Sequence, residues 1–173
     1  EKGHQVTLYE ASDKLGGNMR LAAYPPGKGD ITNMIRSYIV RCQKAGVTIK
    51  MNQEVTLDLI REEKPDSVIV ASGSRTLILP IEGIDNPAII HGSDLLDGKR
   101  AAGKKVLVVG GGMVGCETAA FLGEQNHDVT VIEFRDTVGA DVIHEHRVYL
   151  MKDFEDYGIK EITGAKVCKF YED

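Results

Sequence analysis

The sequence predicts an α/β protein, and two observations carry that prediction. The first is an apolar run, Val106–Val109, that turns through closely spaced glycines into an amphipathic helix, Met113–Glu124. A second strand, Asp128–Glu133, then ends on a carboxylate, which is the layout of a nucleotide-binding βαβ unit. The second observation is a related copy of this pattern nearer the beginning of the chain. Together they predict two Rossmann-like dinucleotide-binding modules, over residues 1–86 and 87–173.

The related copy begins at Gly3–Glu10, which has the pattern of a strand ending on a carboxylate and leads into a turn-rich segment. Laid over Asn126–Glu133 and its continuation to Ala140, this stretch matches without a gap. The likeness continues after one change of register, which falls at the longer loop 18–30. The coinciding residues are His4, Val6, Thr7, Glu10, Asp13 and Gly16 with His127, Val129, Thr130, Glu133, Asp136 and Gly139, and later Arg36, Tyr38, Gly46 and Val55 with Arg147, Tyr149, Gly158 and Val167.

The other elements follow from local patterns. Apolar residues at helical spacing predict a helix over 31–45, with Gly46 as its C-cap. In chain order we further expect a strand at 47–51, a turn and short helix within 55–63, a buried strand at 67–71, a connector at 77–86, a short strand at 88–90, a helical turn at 93–96, a polar approach at 98–105, a helix at 142–157, a strand at 159–162 and a hairpin segment at 167–171.

The repeat also predicts what the two modules lack. If Glu10 is the counterpart of Glu133, the first module's own strand and glycine loop lie upstream of Glu1. The same alignment run forward places the second module's closing strand, the counterpart of residues 66–73, beyond Asp173. We therefore expect both modules to be incomplete at the chain ends, and the chain to be a piece of a longer enzyme.

The glycine loop of the second module fits the G-x-G-x-x-G pattern with Gly110, Gly112 and Gly115. The first glycine lets the chain reverse tightly, the second has no Cβ to obstruct a pyrophosphate, and the third lets helix and strand pack closely. Phosphate then lies on unpaired N–H groups at the helix N-terminus. We expect Gly111 and Val114 to complete this cofactor-binding loop.

Glu133, at the end of the second strand, is expected to accept hydrogen bonds from the hydroxyls of an adenosine ribose. Charge-assisted bonds of about 1.5–3 kcal/mol would favour NAD over NADP, whose 2′-phosphate would also be repelled. Arg135 is a reason for caution, since a nearby arginine pairs with a 2′-phosphate in NADP sites. The alternative is a solvated carboxylate at a strand end.

In the first module, the repeat assigns Glu10 to the ribose of a second adenine nucleotide. Gly16, Gly17 and Asn18 would bring backbone amides near that ligand. The small residues Ala71, Ser72 and Gly73 would let the chain pass close to a diphosphate. The alternative is that these segments are ordinary turns.

Composition excludes several classes of partner. The net charge of -5 gives no general electrostatic reason to bind nucleic acid or an anionic membrane. The apolar runs are far shorter than the ~20 residues of a membrane helix, and the first residues contain no signal-peptide core. These observations predict a soluble, cytoplasmic protein with no nucleic-acid or membrane partner.

The cysteines and histidines offer no second chemistry. Cys42, Cys116 and Cys168 are an odd number without a C-x-x-C pair, so neither a disulfide framework nor a metal site is expected. Cys116 is expected to be a small packed residue. His144 and His146 lie two apart on a helix, point to different faces and are expected to be surface residues. We assign no catalytic side chain.

These residues together resemble the two-dinucleotide module of flavoproteins that use pyridine nucleotides, with FAD in the first half and NAD(P)H in the second. Within that group the chain is most similar to the C-terminal part of 2-enoate reductase and 2,4-dienoyl-CoA reductase, NADH:flavin oxidoreductases that resemble Old Yellow Enzyme and are relatives of trimethylamine dehydrogenase. The likeness covers nearly the whole chain. It is carried by Gly3–Asn18, Tyr24–Gly27, Gly46–Val55, Val68–Gly73, Ile81–Asp85 and Val106–Glu133.

The resemblance implies that NADH passes hydride to FAD, after which electrons cross an iron–sulfur cluster to FMN in an N-terminal barrel, where an activated C=C bond is reduced. It assigns the Glu10 set of residues to FAD and the Gly110–Glu133 set to NAD. This sequence departs from the family pattern in lacking the FAD glycine loop, the barrel and the cluster cysteines. By itself the chain is therefore expected to be inactive and to retain no tightly bound FAD.

Other functions stay open at this point. A simpler ferredoxin-reductase or NADH-oxidase type of flavoprotein has the same two modules. A module that binds NAD without catalysis is the non-enzymatic alternative. A disulfide reductase is disfavoured, because no paired cysteines separate the two halves.

Overall fold

The computed structural model of the chain describes residues 2–171. Within them the chain divides into two compact units. Unit 1 comprises the chain up to Ala23 together with Gly29–Arg75. Unit 2 comprises Tyr24–Lys28 and the chain from Thr76 onward. The functional division into modules 1–86 and 87–173 stays a prediction.

Unit 1 is built around two parallel strands and the helix that connects them. β1 pairs with β2 in a register that places Thr7 opposite Thr48 and Tyr9 opposite Lys50. A parallel pair needs a crossover connection, which the long second helix provides. The elements are β1 (Thr7–Tyr9), α1 (Asn18–Leu21), α2 (Asp30–Lys44), β2 (Thr48–Lys50) and α3 (Leu57–Glu63).

The local chemistry of unit 1 explains its helices. Helix α2 turns Ile31, Ile35 and Ile39 partly inward, at a spacing of four residues, while Tyr38 is exposed. Helix α3 begins after Thr56, whose hydroxyl accepts a hydrogen bond from the Leu59 amide at 3.2 Å. In the described part of unit 1 no side chain is fully buried.

Unit 2 contains a three-stranded parallel sheet in the order β3-β4-β5. The register pairs Val106 with Val129 and Val131 with Glu161. Helix α5 connects the first two strands and α6 the second and third. The elements are α4 (Gly92–Leu96), β3 (Lys105–Val109), α5 (Met113–Glu124), β4 (Asp128–Ile132), α6 (His144–Asp156) and β5 (Lys160–Ile162).

The core of unit 2 lies between one face of this sheet and the two long helices. Val129 and Val131 alternate inward from β4, and Leu150 and Phe154 face them from α6. Helix α5 is buried along most of its length, so its middle is almost entirely small or apolar. The buried cluster comprises Cys116, Ala119, Ala120, Leu122, Val129, Val131, Val138, Val142, Leu150, Phe154 and Ile159.

The internal repeat is visible as matched backbone hydrogen bonds. The Glu10 amide donates to the Lys50 carbonyl at 3.0 Å, as the Glu133 amide donates to Ile162 at 2.8 Å. The same pattern recurs where the long helices end. Gly46 and Gly158 both take positive φ, 73° and 66°, and the next residue donates back to the helix in each unit. The sequence alignment thus corresponds to a shared βαβ geometry.

The predicted α/β class with parallel strands is confirmed. Helix α5 occupies the predicted residues, and the short helix within 55–63 is present as α3. Three elements have different bounds. The strand predicted from Gly3 spans only β1, because its partner β2 offers three residues; loop 18–30 opens with α1; and α6 begins at His144 rather than Val142.

Three strand predictions are wrong. Residues 67–71 are not a strand, and Ile69 is 91% exposed. An apolar run becomes a central parallel strand only between hydrogen-bonded neighbours, and no described strand pairs with it. Residues 88–90 form a turn and an extended stretch instead of a strand. Residues 167–171 form no hairpin within the described chain, since Lys169 bridges in parallel to Glu82.

Among residues 2–171 no helix combines the length and the apolar character that crossing a membrane requires.

Candidate functional site

The glycine loop lies at the carboxyl end of β3, where ligands bind in open parallel sheets. Gly110 takes a φ of 101°, a conformation that side chains disfavour. A Cβ at Gly115 would lie 1.8 Å from the Gly110 carbonyl oxygen, so only glycine lets α5 approach the loop this closely. Val114 is 64% exposed and does not pack into the core. The roles assigned to the first and third glycines match this geometry.

Glu133 lies directly on the glycine loop. Its Oε2 accepts a hydrogen bond from the Gly111 amide at 2.6 Å, and its Oε1 accepts one from the Arg135 amide at 2.8 Å. A Cβ at Gly111 would lie 3.0 Å from the Glu133 Cβ. The fold therefore brings together two positions 22 residues apart that the sequence assigned to one ligand. The Arg135 side chain is exposed.

The connection from β4 to α6 contributes a carboxylate that the sequence analysis missed. Asp141 accepts hydrogen bonds from the Met113 amide, with Oδ1 at 3.0 Å and Oδ2 at 3.3 Å. A Cβ at Gly112 would lie 3.2 Å from Asp141 Oδ2. Only one sequence signal could have found it: Asp141 lies in a connection that leaves the carboxyl end of a strand.

Beneath the loop, Cys116 is fully buried and its thiol donates to the Gly111 carbonyl at 3.2 Å. Burial raises the pKa of this thiol to about 11, so it is protonated at neutral pH. The prediction that Cys116 is a packed residue agrees with this position.

Further along α5, Glu117 is buried and is the partner of two basic groups. Lys28 Nζ contacts Glu117 Oε1, and His146 Nε2 lies 3.0 Å from the same oxygen. His146 is thus half-buried, which corrects the prediction of a surface histidine, because α6 packs against α5. His144 is exposed as predicted. The described residues contain no group of three or more side chains suited to a metal ion.

In unit 1 the structure joins two of the predicted ligand segments. Asn18 Nδ2 donates to the Ser74 hydroxyl at 3.0 Å and to the Ser74 carbonyl at 3.3 Å. Gly73 has a φ of 73° and lies beside this amide, whereas Ala71 and Ser72 are exposed. The loop 16–18 and the segment 71–74 therefore meet.

Glu10 repeats the arrangement of Glu133. Its Oε1 accepts a hydrogen bond from the Ser12 amide at 2.8 Å, which is the counterpart of the Arg135 amide. Gly16 has a φ of 111°, and a Cβ there would lie 3.1 Å from both Arg20 Cγ and Ile35 Cγ2. Gly17 precedes α1 with a φ of 47°. Glycine is required at both positions for backbone conformation, and at Gly16 also for space.

Three curated relatives match this chain. It is 33% identical over 166 residues to the bilirubin reductase of Mediterraneibacter gnavus, covering 96% of this chain and 26% of that protein. It is 35% identical over 174 residues to the NADH oxidase of Thermoanaerobacter brockii, covering 98% and 27%. It is 36% identical over 137 residues to the cinnamate reductase of Clostridium sporogenes, covering 79% and 20%. The chain spans about a quarter or less of the length of these relatives.

A solved structure shows the same fold. The 2-naphthoyl-CoA reductase in complex with 2-naphthoyl-CoA superposes with a TM-score of 0.93 at 33% identity, covering 99% of this chain and 26% of that one. The family model described as pyridine nucleotide-disulphide oxidoreductase matches residues 1–173. The chain therefore belongs to the pyridine nucleotide-disulphide oxidoreductase family.

Proposed function

We propose that this chain is the dinucleotide-binding part of an NADH-dependent flavin oxidoreductase, with NADH held in unit 2 and FAD in unit 1. The observation that carries the proposal is the Glu133 carboxylate held on the glycine loop, 2.6 Å from the Gly111 amide. A carboxylate, a loop without side chains and a helix N-terminus are the three groups that a ribose and a pyrophosphate need.

The residues present fit these groups. In unit 2, Gly110–Gly115 would hold the pyrophosphate and Glu133 the ribose. In unit 1, Glu10 would hold the second ribose, while the loop 16–18 and the residues Ala71–Gly73 would line the diphosphate of FAD. When bound, the nicotinamide and flavin rings supply the hydride chemistry. The chain's own residues bind and orient them.

The preference for NADH over NADPH rests on charge. A 2′-phosphate placed against Glu133 would meet a carboxylate that already accepts two backbone hydrogen bonds. Bringing like charges together in this way is unfavourable. The Arg135 side chain is the group that would offset this effect.

The test is a fluorescence titration of the chain with NADH and NADPH. We expect the wild type to bind NADH more tightly. Glu133→Gln should weaken NADH binding about tenfold or more, since a charge-assisted hydrogen bond is lost, and NADPH binding should weaken less. Glu155→Gln, which removes an exposed carboxylate near the end of α6, is the charge-matched control. Tighter binding of NADPH by the wild type would contradict the preference.

For the whole protein we propose reduction of an activated C=C bond of the 2-enoate kind. Two of the relatives are named as cinnamate reductase and 2-naphthoyl-CoA reductase, and the resemblance to 2-enoate reductase covers nearly the whole chain. On this proposal an FMN barrel and an iron–sulfur cluster belong to the rest of the polypeptide, which is then this chain's main partner. The cytoplasmic location stays a prediction.

The relative named NADH oxidase favours a second candidate, a flavoprotein that reduces a simpler acceptor. Anaerobic assays of the full-length protein with NADH and cinnamate distinguish the two. Consumption of NADH that requires the enoate supports the first, and consumption that requires only oxygen supports the second. A full-length protein without flavin absorbance that NADH bleaches would eliminate both and leave a non-catalytic NAD-binding module.

A further inference from the structure

We propose that Asp141 is an internal competitor of the dinucleotide: its carboxylate occupies the phosphate position at the N-terminus of α5 and must leave before a pyrophosphate binds. This inference rests on the proposed function of the same loop, and it adds a residue that sets the affinity of the site.

The contacts locate the carboxylate in the phosphate position. Both oxygens of Asp141 lie within 3.3 Å of the Met113 amide, which is the first amide of α5. A Cβ at Gly112 would lie 3.2 Å from Asp141 Oδ2. The glycine that leaves room for a pyrophosphate therefore has a carboxylate beside it.

The backbone around Asp141 is anchored, while the side chain is free to turn. The Gly139 amide donates to the Gly111 carbonyl at 2.6 Å, and the neighbouring residue Val142 is buried. Arg147 holds the preceding turn through the Val138 carbonyl. Asp141 itself is exposed. Rotation of its side chain into solvent thus exposes the Met113 amide without disturbing the core.

Electrostatics make the two states exclusive. The N-terminus of a helix stabilises an anion through its unpaired amides and its dipole, and either a carboxylate or a phosphate satisfies it. One amide cannot serve both, and two anions side by side repel each other. Asp141 therefore stabilises the ligand-free loop and weakens binding by the free energy of its own contact.

Asp141 and Glu133 differ in what they should discriminate. Glu133 contacts the Gly111 amide and is assigned to the ribose, so its loss should change the preference between NADH and NADPH. Asp141 contacts the α5 amide, so its loss should strengthen binding of NADH, NADPH and inorganic pyrophosphate alike.

The experiment measures the Kd of NADH, NADPH and inorganic pyrophosphate by calorimetry for the wild-type chain, Asp141→Asn and Asp141→Ala. We expect the Kd of all three to fall about tenfold in both variants, since a charge-assisted contact to a helix N-terminus no longer has to be broken. The ratio between NADH and NADPH should stay constant. Glu155→Gln, an equal change in charge at the far end of α6, should leave every Kd unchanged.

A second measurement guards against an altered fold. The Met113 amide resonance should move in Asp141→Ala without ligand, and in the wild type on addition of pyrophosphate. Asp141→Glu, which keeps the charge, should not tighten binding.

The outcomes separate the inference from the proposed function. Equal affinities in the wild type and both variants would overturn the inference alone, as would weaker binding in the variants, which would make Asp141 a ligand-positioning residue. If no protein bound any of the three ligands, the proposed function would fail and the inference with it.

Discussion

At the scale of single residues, the glycine loop shows which substitutions the fold forbids. Gly115→Ala would place a Cβ 1.8 Å from the Gly110 carbonyl oxygen, which is backbone and cannot move aside without shifting α5. We expect the free energy of unfolding to fall by about 3 kcal/mol, the upper end for overpacking, and NADH binding to be lost. Denaturant unfolding and an NADH titration measure the two effects.

Gly103→Ala is the matched control for this substitution. A Cβ at Gly103 would meet no atom within 4 Å, and its φ is not positive. Its unfolding free energy should change by less than about 1 kcal/mol. Equal losses in the two variants would show that the loop tolerates a side chain at Gly115.

Cys116 makes stability depend on pH. Its pKa is about 11 in the folded chain, against an ordinary value of 9.0. Because the folded chain holds the proton more tightly, the stabilisation is complete below pH 9 and is lost as the pH rises toward 11. The slope from this thiol approaches about 1.4 kcal/mol per pH unit at most.

Cys116→Ser keeps a donor for the Gly111 carbonyl and does not titrate in this range. We expect its unfolding free energy to fall less steeply between pH 9 and 11 than that of the wild type, in which lysines add a shared background. Denaturant unfolding at half-unit pH steps provides the comparison. Parallel pH curves for the two proteins would refute the assignment.

At the scale of elements, unit 2 depends on a short segment that precedes it by some fifty residues. Tyr24–Lys28 belongs to unit 2, where the Tyr24 ring lies edge-on to Phe121 with centroids 6.4 Å apart. Lys28 contacts the buried carboxylate of Glu117 on α5. Sequence order did not predict this, since the segment falls within the loop of the first module.

Glu117→Gln should loosen this segment. Removing the carboxylate leaves Lys28 and His146 without their shared anion, and breaking a buried ion pair is destabilising, here by about 2 kcal/mol. Hydrogen exchange measured by mass spectrometry should speed up in the peptide that contains Tyr24–Lys28. Glu124→Gln, an exposed position on the same helix, is the control. Unchanged exchange in Glu117→Gln would mean that packing of Tyr24 alone holds the segment.

At the scale of the whole molecule, the two units make separate predictions for the two cofactors. Saturating NADH should slow hydrogen exchange in peptides covering 110–117 and 133–135, because binding stabilises the loop and the first turn of α5. Peptides covering 16–21 and 71–74, in unit 1, should be unaffected. Glu133→Gln should show weaker protection at the same NADH concentration. Protection confined to unit 1 would reverse the assignment of cofactors.

The sequence by itself determined the elements of unit 2 and the loop that joins them. Glycine spacing, a β-branched run and a helical pattern are local signals, and Gly110, Gly115 and α5 lie where these signals placed them. The repeat was equally informative, because two segments with matching residues fold with matching hydrogen bonds around Glu10 and Glu133.

Only the tertiary structure decided what contacts that loop. The Asp141 carboxylate reaches the Met113 amide because Gly139 binds Gly111 across 28 residues of chain, and no local pattern records such a contact. The apolar run 67–71 shows the converse. Its composition is that of a buried strand, but burial requires neighbours, and within residues 2–171 no strand pairs with it. Local propensity sets what a segment is able to form, whereas pairing and packing decide what it forms.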